Sequence, residues 1–511
     1  MLAPFRSHPL KRSNEASNLE LSNLEPSNAH PSNHPNPRTP EPFETPAPEY
    51  HRVVKKSLMA LTVAAVVVQP PVALDAQKDA RAGITEASVK GHLEFLAGDA
   101  LNGRGSGTRD EWIAASYIAS QLRRWGLEPL GDDGGYVQQV DIERSEAAAP
   151  PVLNYGSTRL THGKEIVAQS ITAGRVSGPL QRFQPGVATR PGAVLLLPDP
   201  RPQALGQAAA GAALVLVAET PQTTTLFGTA ARLPPPTAQL KGGVPPRAGV
   251  VILSKASHDA ISALAEGTSI TLTTELKPVQ VSHTWNAIGK LSGRDKRRTA
   301  QVILLTAHLD HLGNRPPRPG TPAGDSIFNG ADDDASGSVA VLELAEALAH
   351  GRRPKRTIVF TWFGSEEAGG YGAAYFLEHP PVPLEAIVAN LEFEMIGRPD
   401  PAVPPHTLWL TGYERSDLGP RLAKRGARLV QDPHPAENFF MRSDNIQLAR
   451  RGVVAQTVSS FGLHKEYHQP SDEVRLVDFA HMTDAIRSML DPVRWLANSE
   501  FRPVWLPGKK P

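Results

Sequence analysis

Two long segments carry apolar residues at helical spacing, and several short ones are unbroken apolar runs. From Glu111 to Trp125 the apolar positions are Ile113, Tyr117, Ile118, Leu122 and Trp125. That spacing predicts an amphipathic helix, with Gly126 placed as its C-terminal stop. From Ala335 to His350, Val339, Leu342, Ala345 and Leu348 fall on one helical face. Between and after these lie Val302–Thr306, Thr357–Phe363, Ile387–Phe393 and Val453–Val458, rich in β-branched and aromatic residues. Such alternation predicts an α/β fold, a mostly parallel mixed sheet flanked by helices.

The pattern changes between Val152 and Thr274. Short strand-like runs (Ala193–Leu197, Ala213–Val217, Val250–Leu253) are separated by stretches such as Pro234–Pro236 and Gly242–Pro246. This predicts an inserted small strand-rich domain. The expected boundaries are 77–148 for the first part of the main domain, 149–280 for the insert and 281–511 for the remainder. Residues 1–52 repeat Ser-Asn and then turn Pro-rich, a composition too poor in large apolar residues to bury a core. Residues 53–76 carry Lys55 and Lys56, an apolar run from Leu58 to Val68, and the small residues around Ala76. They have the layout of a signal peptide, so an exported protein is expected. The apolar run is too short to span a bilayer, and no integral membrane span is expected in the mature chain.

Composition narrows the chemistry. The 511 residues hold 53 basic and 52 acidic side chains, a net charge of +1, which gives no electrostatic case for nucleic acid. There is no cysteine, so disulfides, thiol nucleophiles and thiolate metal sites are excluded. Any metal must be held by His, Asp and Glu.

Those residue types gather where the predicted strands end. Ala307-His308-Leu309-Asp310-His311 follows the first strand, and Asn329-Gly330-Ala331-Asp332-Asp333-Asp334-Ala335-Ser336-Gly337 precedes the helix. Gly364-Ser365-Glu366-Glu367 follows the next strand, Glu392-Phe393-Glu394 closes another, and His464 to Asp472 follows the last. In an open α/β sheet the ligand site lies beyond the carboxyl ends of the strands. Carboxylates gathered there repel one another and lose hydration, and Lys and Arg are nearly absent from these segments. Cations are the natural compensation, and a carboxylate–imidazole set suits zinc.

The combination of Gly330-Ala331-Asp332-Asp333-Asp334-Ala335-Ser336-Gly337 with Ser365-Glu366-Glu367 resembles the co-catalytic di-zinc aminopeptidases of metallopeptidase family 28, of the bacterial leucyl aminopeptidase and aminopeptidase Y type. The resemblance covers Ile84–Val140 and Trp285 to about Leu496, and the insert is similar to a protease-associated domain. It implies a zinc-exopeptidase fold (phosphorylase/hydrolase-like), two Zn2+ per chain and peptide substrates cut at the N-terminal bond. By motif, His308, Asp333, Glu367, Glu394 and His468 are the implied metal ligands. Asp333 bridges, His308 and Glu394 share one ion, and Glu367 and His468 share the other. Glu366 is the implied general base, with the adjacent glutamates pointing opposite ways on an extended strand end. Asp310 is the implied orienter of His308, Asp472 a candidate orienter of His468, and Tyr467 a candidate oxyanion donor. The commonest family pattern has Asp where Glu394 stands, and Glu392 competes with it.

Taken singly, these features have plainer readings. Three aspartates suit a helix N-terminus, Glu366-Glu367 a solvated loop and Ser443-Asp444 a turn or cap. His311, His434 and His464 carry no functional expectation. Asn102-Gly103-Arg104-Gly105-Ser106-Gly107 lacks the preceding strand and Lys-Ser/Thr ending of a phosphate loop, although family 28 relatives have a similar segment. A carboxypeptidase or dipeptidase on the same chemistry would need an arginine for the substrate carboxylate, with Arg398 and Arg442 the candidates. A non-catalytic binding protein on this scaffold would have lost the metal ligands that this chain keeps.

Overall fold

The computed structural model describes residues 83–511 except 199–210, 222, 229–232, 244–247 and 316–323. The Ser-Asn tract and the signal-peptide segment lie outside the described residues. The first helix, α1 (Glu86–Leu96), starts at Thr85, whose side chain accepts from Ser88 N, and buries Val89, His92, Leu93 and Leu96. The second, α2 (Arg109–Arg124), starts at Thr108 and buries Ala114, Ala115, Ile118 and Leu122. Gly126 follows it at φ +70 and lets the chain turn back.

The central sheet is built from β1 (Val137–Ser145), β2 (Thr237–Leu240), β3 (Gln280–Leu291), β4 (Val302–His308), β5 (Thr357–Phe363), β6 (Ile387–Phe393), β7 (Leu408–Leu410), β8 (Leu429–Gln431) and β9 (Ala455–Ser459). Its order is β8-β7-β9-β6-β4-β5-β3-β1-β2, with Glu128–Pro129 added beside β3. The centre is parallel: β4 pairs with β5 and β6, and β6 with β9. The β5–β3–β1–β2 flank and the β9–β7 pair are antiparallel. The sheet is therefore mixed and parallel where the sequence analysis places its chemistry.

Alternation along the central strands sorts side chains to two faces. Ile303, Leu305, Ala307, Ile358, Phe360 and Trp362 pack in one core with α1, α2, α3 (Gly337–Ala349) and α6 (Phe479–Asn498). Leu304, Val359 and Phe363 face the other, with α4 (Tyr371–Glu378) and α5 (Asn445–Arg450). Strands buried on both sides read as mainly apolar runs, which is how β4 and β5 appear in the sequence, whereas β6 also carries the buried Asn390 and Glu392.

Residues 152–273 form a second, eight-stranded sheet. Val194–Leu197, Leu214–Ala218 and Gly249–Leu253 are parallel neighbours at its centre. Leu196, Leu216 and Leu253 line one of its faces, and Leu195, Val217 and Ile252 the other. One strand from this stretch, β2, leaves it and pairs with β1 at the edge of the central sheet. No described helix is long and apolar enough to cross a membrane.

Candidate active site

Each parallel strand hands its functional residues to the same rim. His308 is the last residue of β4; Glu366 and Glu367 follow β5; Glu394 follows β6; His468 lies on the loop after β9. Asp333 sits in the turn of Ala331–Ser336 that enters α3. His308 Nε2 lies 3.3 Å from Asp333 Oδ1. His468 Nε2 lies 3.2 Å from both Asp333 Oδ2 and Glu367 Oε1. One set of potential ligand atoms is offered by His308, Asp333 and Glu394, a second by His311, Asp333 and Glu367. Asp333 belongs to both, as a bridging carboxylate would.

These residues fit a metal pair on their own terms. His308 Nε2, both ring nitrogens of His311, Asp333 Oδ2 and Glu367 Oε1 are buried and make no hydrogen bond. A buried polar atom without a partner costs free energy, and here several such atoms face one another at ligand spacing. The donors are imidazole and carboxylate only, which suits zinc.

The surroundings fix each side chain. Asp334 accepts from the amides of Gly337 at 2.8 Å, Met395 at 3.1 Å and His308 at 3.3 Å. Asp332 accepts from Gly397 N at 2.7 Å and contacts His464 Nε2 at 2.9 Å. The three aspartates therefore do three different things, and a helix N-terminus alone does not account for them. Gly337 has no room for a side chain: a Cβ would come 2.0 Å from Phe393 O and 2.4 Å from Asp334 Oδ1. Ser365, Met395 and His468 all have positive φ, 57, 52 and 55. For non-glycine residues this costs about 1 kcal/mol each, and the three cluster at the site.

Several expectations change. Asp472 does not touch His468; its carboxylate accepts from the amides of Asp332 and Asp333 at 3.1 Å each, because the turn before α3 leaves those donors free. The His308 ring meets Asp310 through the backbone oxygen, Nδ1 to O at 3.1 Å, with the carboxylate at 3.8 Å. The Asp310 carboxylate accepts instead from Glu366 N at 2.9 Å and from Ser106 Oγ. Glu366 and Glu367 stand on a turn after the left-handed Ser365, not on an extended strand end. Glu394, not Glu392, reaches His308 and Asp333; Glu392 accepts from Asn445 N at 2.6 Å at the start of α5. Arg398 is held by Glu466 at 3.0 Å and Asp472 at 3.5 Å. Tyr467 stacks on His468, ring centroids 3.9 Å apart, and its hydroxyl accepts from Arg442 at 3.3 Å. His434 contacts Asp400 at 2.8 Å, away from the cluster.

Two contributors have no role in the sequence analysis. His311 is fully buried with Nδ1 2.8 Å from Glu367 Oε1. Arg104 is also fully buried, and donates to the carbonyls of Leu96, Leu309, Asn329 and Gly330. The Gly103–Gly107 segment thus braces the metal-site loops. The spacing His308-x-x-His311 and the lone arginine among glycines were the available signals.

Electrostatics separate the two adjacent glutamates. Burial pushes Glu366 well above the usual range; His308 pulls it down, and the Asp444, Glu394 and Glu367 carboxylates push it further up. Burial and Asp333 act the same way on Glu367, but His311 and His468 outweigh them and hold it at about 2. Asp444, buried behind the cluster, is pushed to about 7. Beside these groups lies a pocket open to solvent, with Met395, Trp409, Phe439 and Phe461 among its lining and Arg442 with it.

The structure is an α/β sheet whose parallel strands carry an imidazole–carboxylate cluster beside a pocket. Residues 286–491 match the model of peptidase family M28. Among curated proteins it is similar to leupeptin-inactivating enzyme 1 of Streptomyces exfoliatus, 30% identical over 151 residues, which are 29% of this chain and 30% of that protein. It is also similar to an aminopeptidase of Pseudomonas aeruginosa, 35% identical over 100 residues, covering 19% of this chain and 16% of that one. The chain thus spans under a third of the length of either relative. Among solved structures it is similar to an aminopeptidase from Aneurinibacillus sp. strain AM-1, with TM-score 0.48 and 18% identity, covering 84% of this chain and 97% of that one.

Proposed function

We propose that the protein is a zinc aminopeptidase that hydrolyses the N-terminal bond of peptides. The observation carrying this reading is the cluster of Asp333, Glu366, Glu367, Glu394 and His468 in the lining of a pocket that Met395, Trp409, Phe439 and Phe461 share with polar residues such as Arg442 and Tyr467. His308, Asp333 and Glu394 would hold one zinc ion, and Asp333, Glu367 and His468 the other. When bound, the ions would lower the pKa of a water and polarise the scissile carbonyl.

The chain's own residues supply the rest. Glu366, with its carboxyl pushed up by burial, is suited to take a proton from water and deliver it to the leaving amine. Asp310 fixes the Glu366 backbone through its amide and so sets where that carboxylate stands. Tyr467, stacked on His468, can donate its hydroxyl to a developing oxyanion. A substrate's free α-amine would be held at the metal site, and the aromatic residues of the pocket would take an apolar side chain. Export through the segment near residues 53–76 belongs to this reading.

One observation favours a second reading. Arg442 lines the same pocket and could hold a substrate carboxylate, as a carboxypeptidase or dipeptidase requires. A substrate panel separates the two. Leucine p-nitroanilide should be cleaved and its N-acetyl form left intact. Cleavage of N-blocked peptides with a free C-terminus, and none of the anilide, would replace the first reading by the second.

A further inference from the structure

Family resemblance assigns His468 to the ion shared by Asp333 and Glu367. A second imidazole lies at the same place. We propose that His311 is an additional protein ligand of that ion, so that three histidines serve the two metals. The inference rests on the reading that the site binds a metal pair.

The His311 ring is fully buried, and neither nitrogen makes a hydrogen bond. An imidazole sealed from water in this way loses its hydration without compensation, a cost of about 1–3 kcal/mol. Its Nδ1 stands 2.8 Å from Glu367 Oε1 and 3.9 Å from Asp333 Oδ2. That 2.8 Å approach is not aligned as a hydrogen bond, so neither buried atom is satisfied by the other. Ligands about 2.0–2.2 Å from a tetrahedral zinc lie roughly 3.3–3.5 Å from one another. The separations of 2.8, 3.2, 3.2 and 3.9 Å among His311, Glu367, His468 and Asp333 bracket that value.

The ring is held in place from several sides. The amide of His311 donates to Arg104 O at 3.1 Å, and its backbone pairs with Gly105 as a short bridge. His468 meets the ring edge to face at 5.7 Å. Gly330 leaves the space the ring occupies, since a Cβ there would come 2.5 Å from His311 Cγ. Gly330 is also left-handed, at φ +55, so both backbone and contact demand glycine. A core histidine chosen only for packing would not be aimed by its nitrogen at two carboxylates.

The test uses the full chain loaded with zinc and a graded series of chelator, reading zinc per chain by elemental mass spectrometry. Wild type should hold two ions. His311→Ala should keep one as wild type does and release the other at about 10- to 100-fold lower chelator. Release of both ions from His311→Ala at wild-type chelator concentrations overturns the assignment while leaving the metal pair intact. A wild-type chain that holds no zinc overturns the metal reading and this inference with it. X-ray absorption on the zinc-loaded wild type decides the matter even where the variant does not fold. Three imidazoles for two zinc ions support His311 as a ligand, and two refute it.

Discussion

Replacing Arg104 by alanine should destabilise the protein by about 3–5 kcal/mol, more than most single surface or core truncations. The guanidinium donates from Nε to Leu309 O at 3.0 Å, from Nη1 to Leu96 O at 2.5 Å and Asn329 O at 2.7 Å, and from Nη2 to Gly330 O at 3.0 Å. Burial lowers its pKa to about 10, against the opposing pull of Asp310, Asp334, Asp472 and Asp333, so it is charged at neutral pH. Four hydrogen bonds from a charged donor are worth about 1.5–3 kcal/mol each before the desolvation of the cation, several kcal/mol, is subtracted. Truncation forfeits the bonds and leaves four buried carbonyls, some of which water entering the new space will satisfy. The balance gives the range stated. Arg104→Lys should lose less, because an ammonium retains up to three donors but cannot span the same fork. Guanidinium unfolding followed by tryptophan emission, on seven tryptophans, reads the shift in midpoint. Zinc content read alongside should fall, since the clamped carbonyls flank His308 and the turn of Asp333. An Arg104→Ala protein with wild-type midpoint and wild-type zinc would refute the bracing role.

Three further outcomes are expected. Gly337→Ala drives a methyl into Phe393 O and the Asp334 carboxyl, so it should lose at least about 3 kcal/mol and its zinc, seen in soluble yield and metal analysis. Glu343 is buried against α1 and its folded pKa is raised by burial to about 7 from 4.5. The folded state therefore keeps a proton that the unfolded chain loses, and stability falls as pH rises from 4.5 through 7. Glu343→Gln should match wild type near pH 4 and exceed it by up to about 3 kcal/mol at pH 8, and melting at both pH values checks this. Tyr467→Phe should lower kcat on leucine p-nitroanilide about 10- to 100-fold with little change in KM, if its hydroxyl steadies the oxyanion.

The elements that place the site were legible because burial on both faces leaves an unmistakable trace. β4 and β5 are mainly apolar runs, β6 is one interrupted by Asn390 and Glu392, and the strands from Val194, Leu214 and Gly249 in the second sheet are plain. The acidic and imidazole segments stood out because they follow such runs directly. The supports were not legible. Asp472 lies 139 positions from Asp333 and binds backbone amides, which carry no sequence signature. Arg104 bonds carbonyls up to 226 positions away. His311 had the right residue type, but only folding shows that Gly330 opens a space for its ring. The choice between Glu392 and Glu394 was open in sequence because both end one strand two residues apart; the left-handed turn at Met395 and the start of α5 separate them.

The central claim is that Glu366 acts on the substrate while its neighbours hold metal. Glu366→Gln, purified as the full chain, should retain wild-type zinc and cleave leucine p-nitroanilide about 10²- to 10⁴-fold more slowly. Chelation should abolish wild-type activity and zinc should restore it. A Glu366→Gln protein as active as wild type, or one that has lost its zinc, would contradict the account.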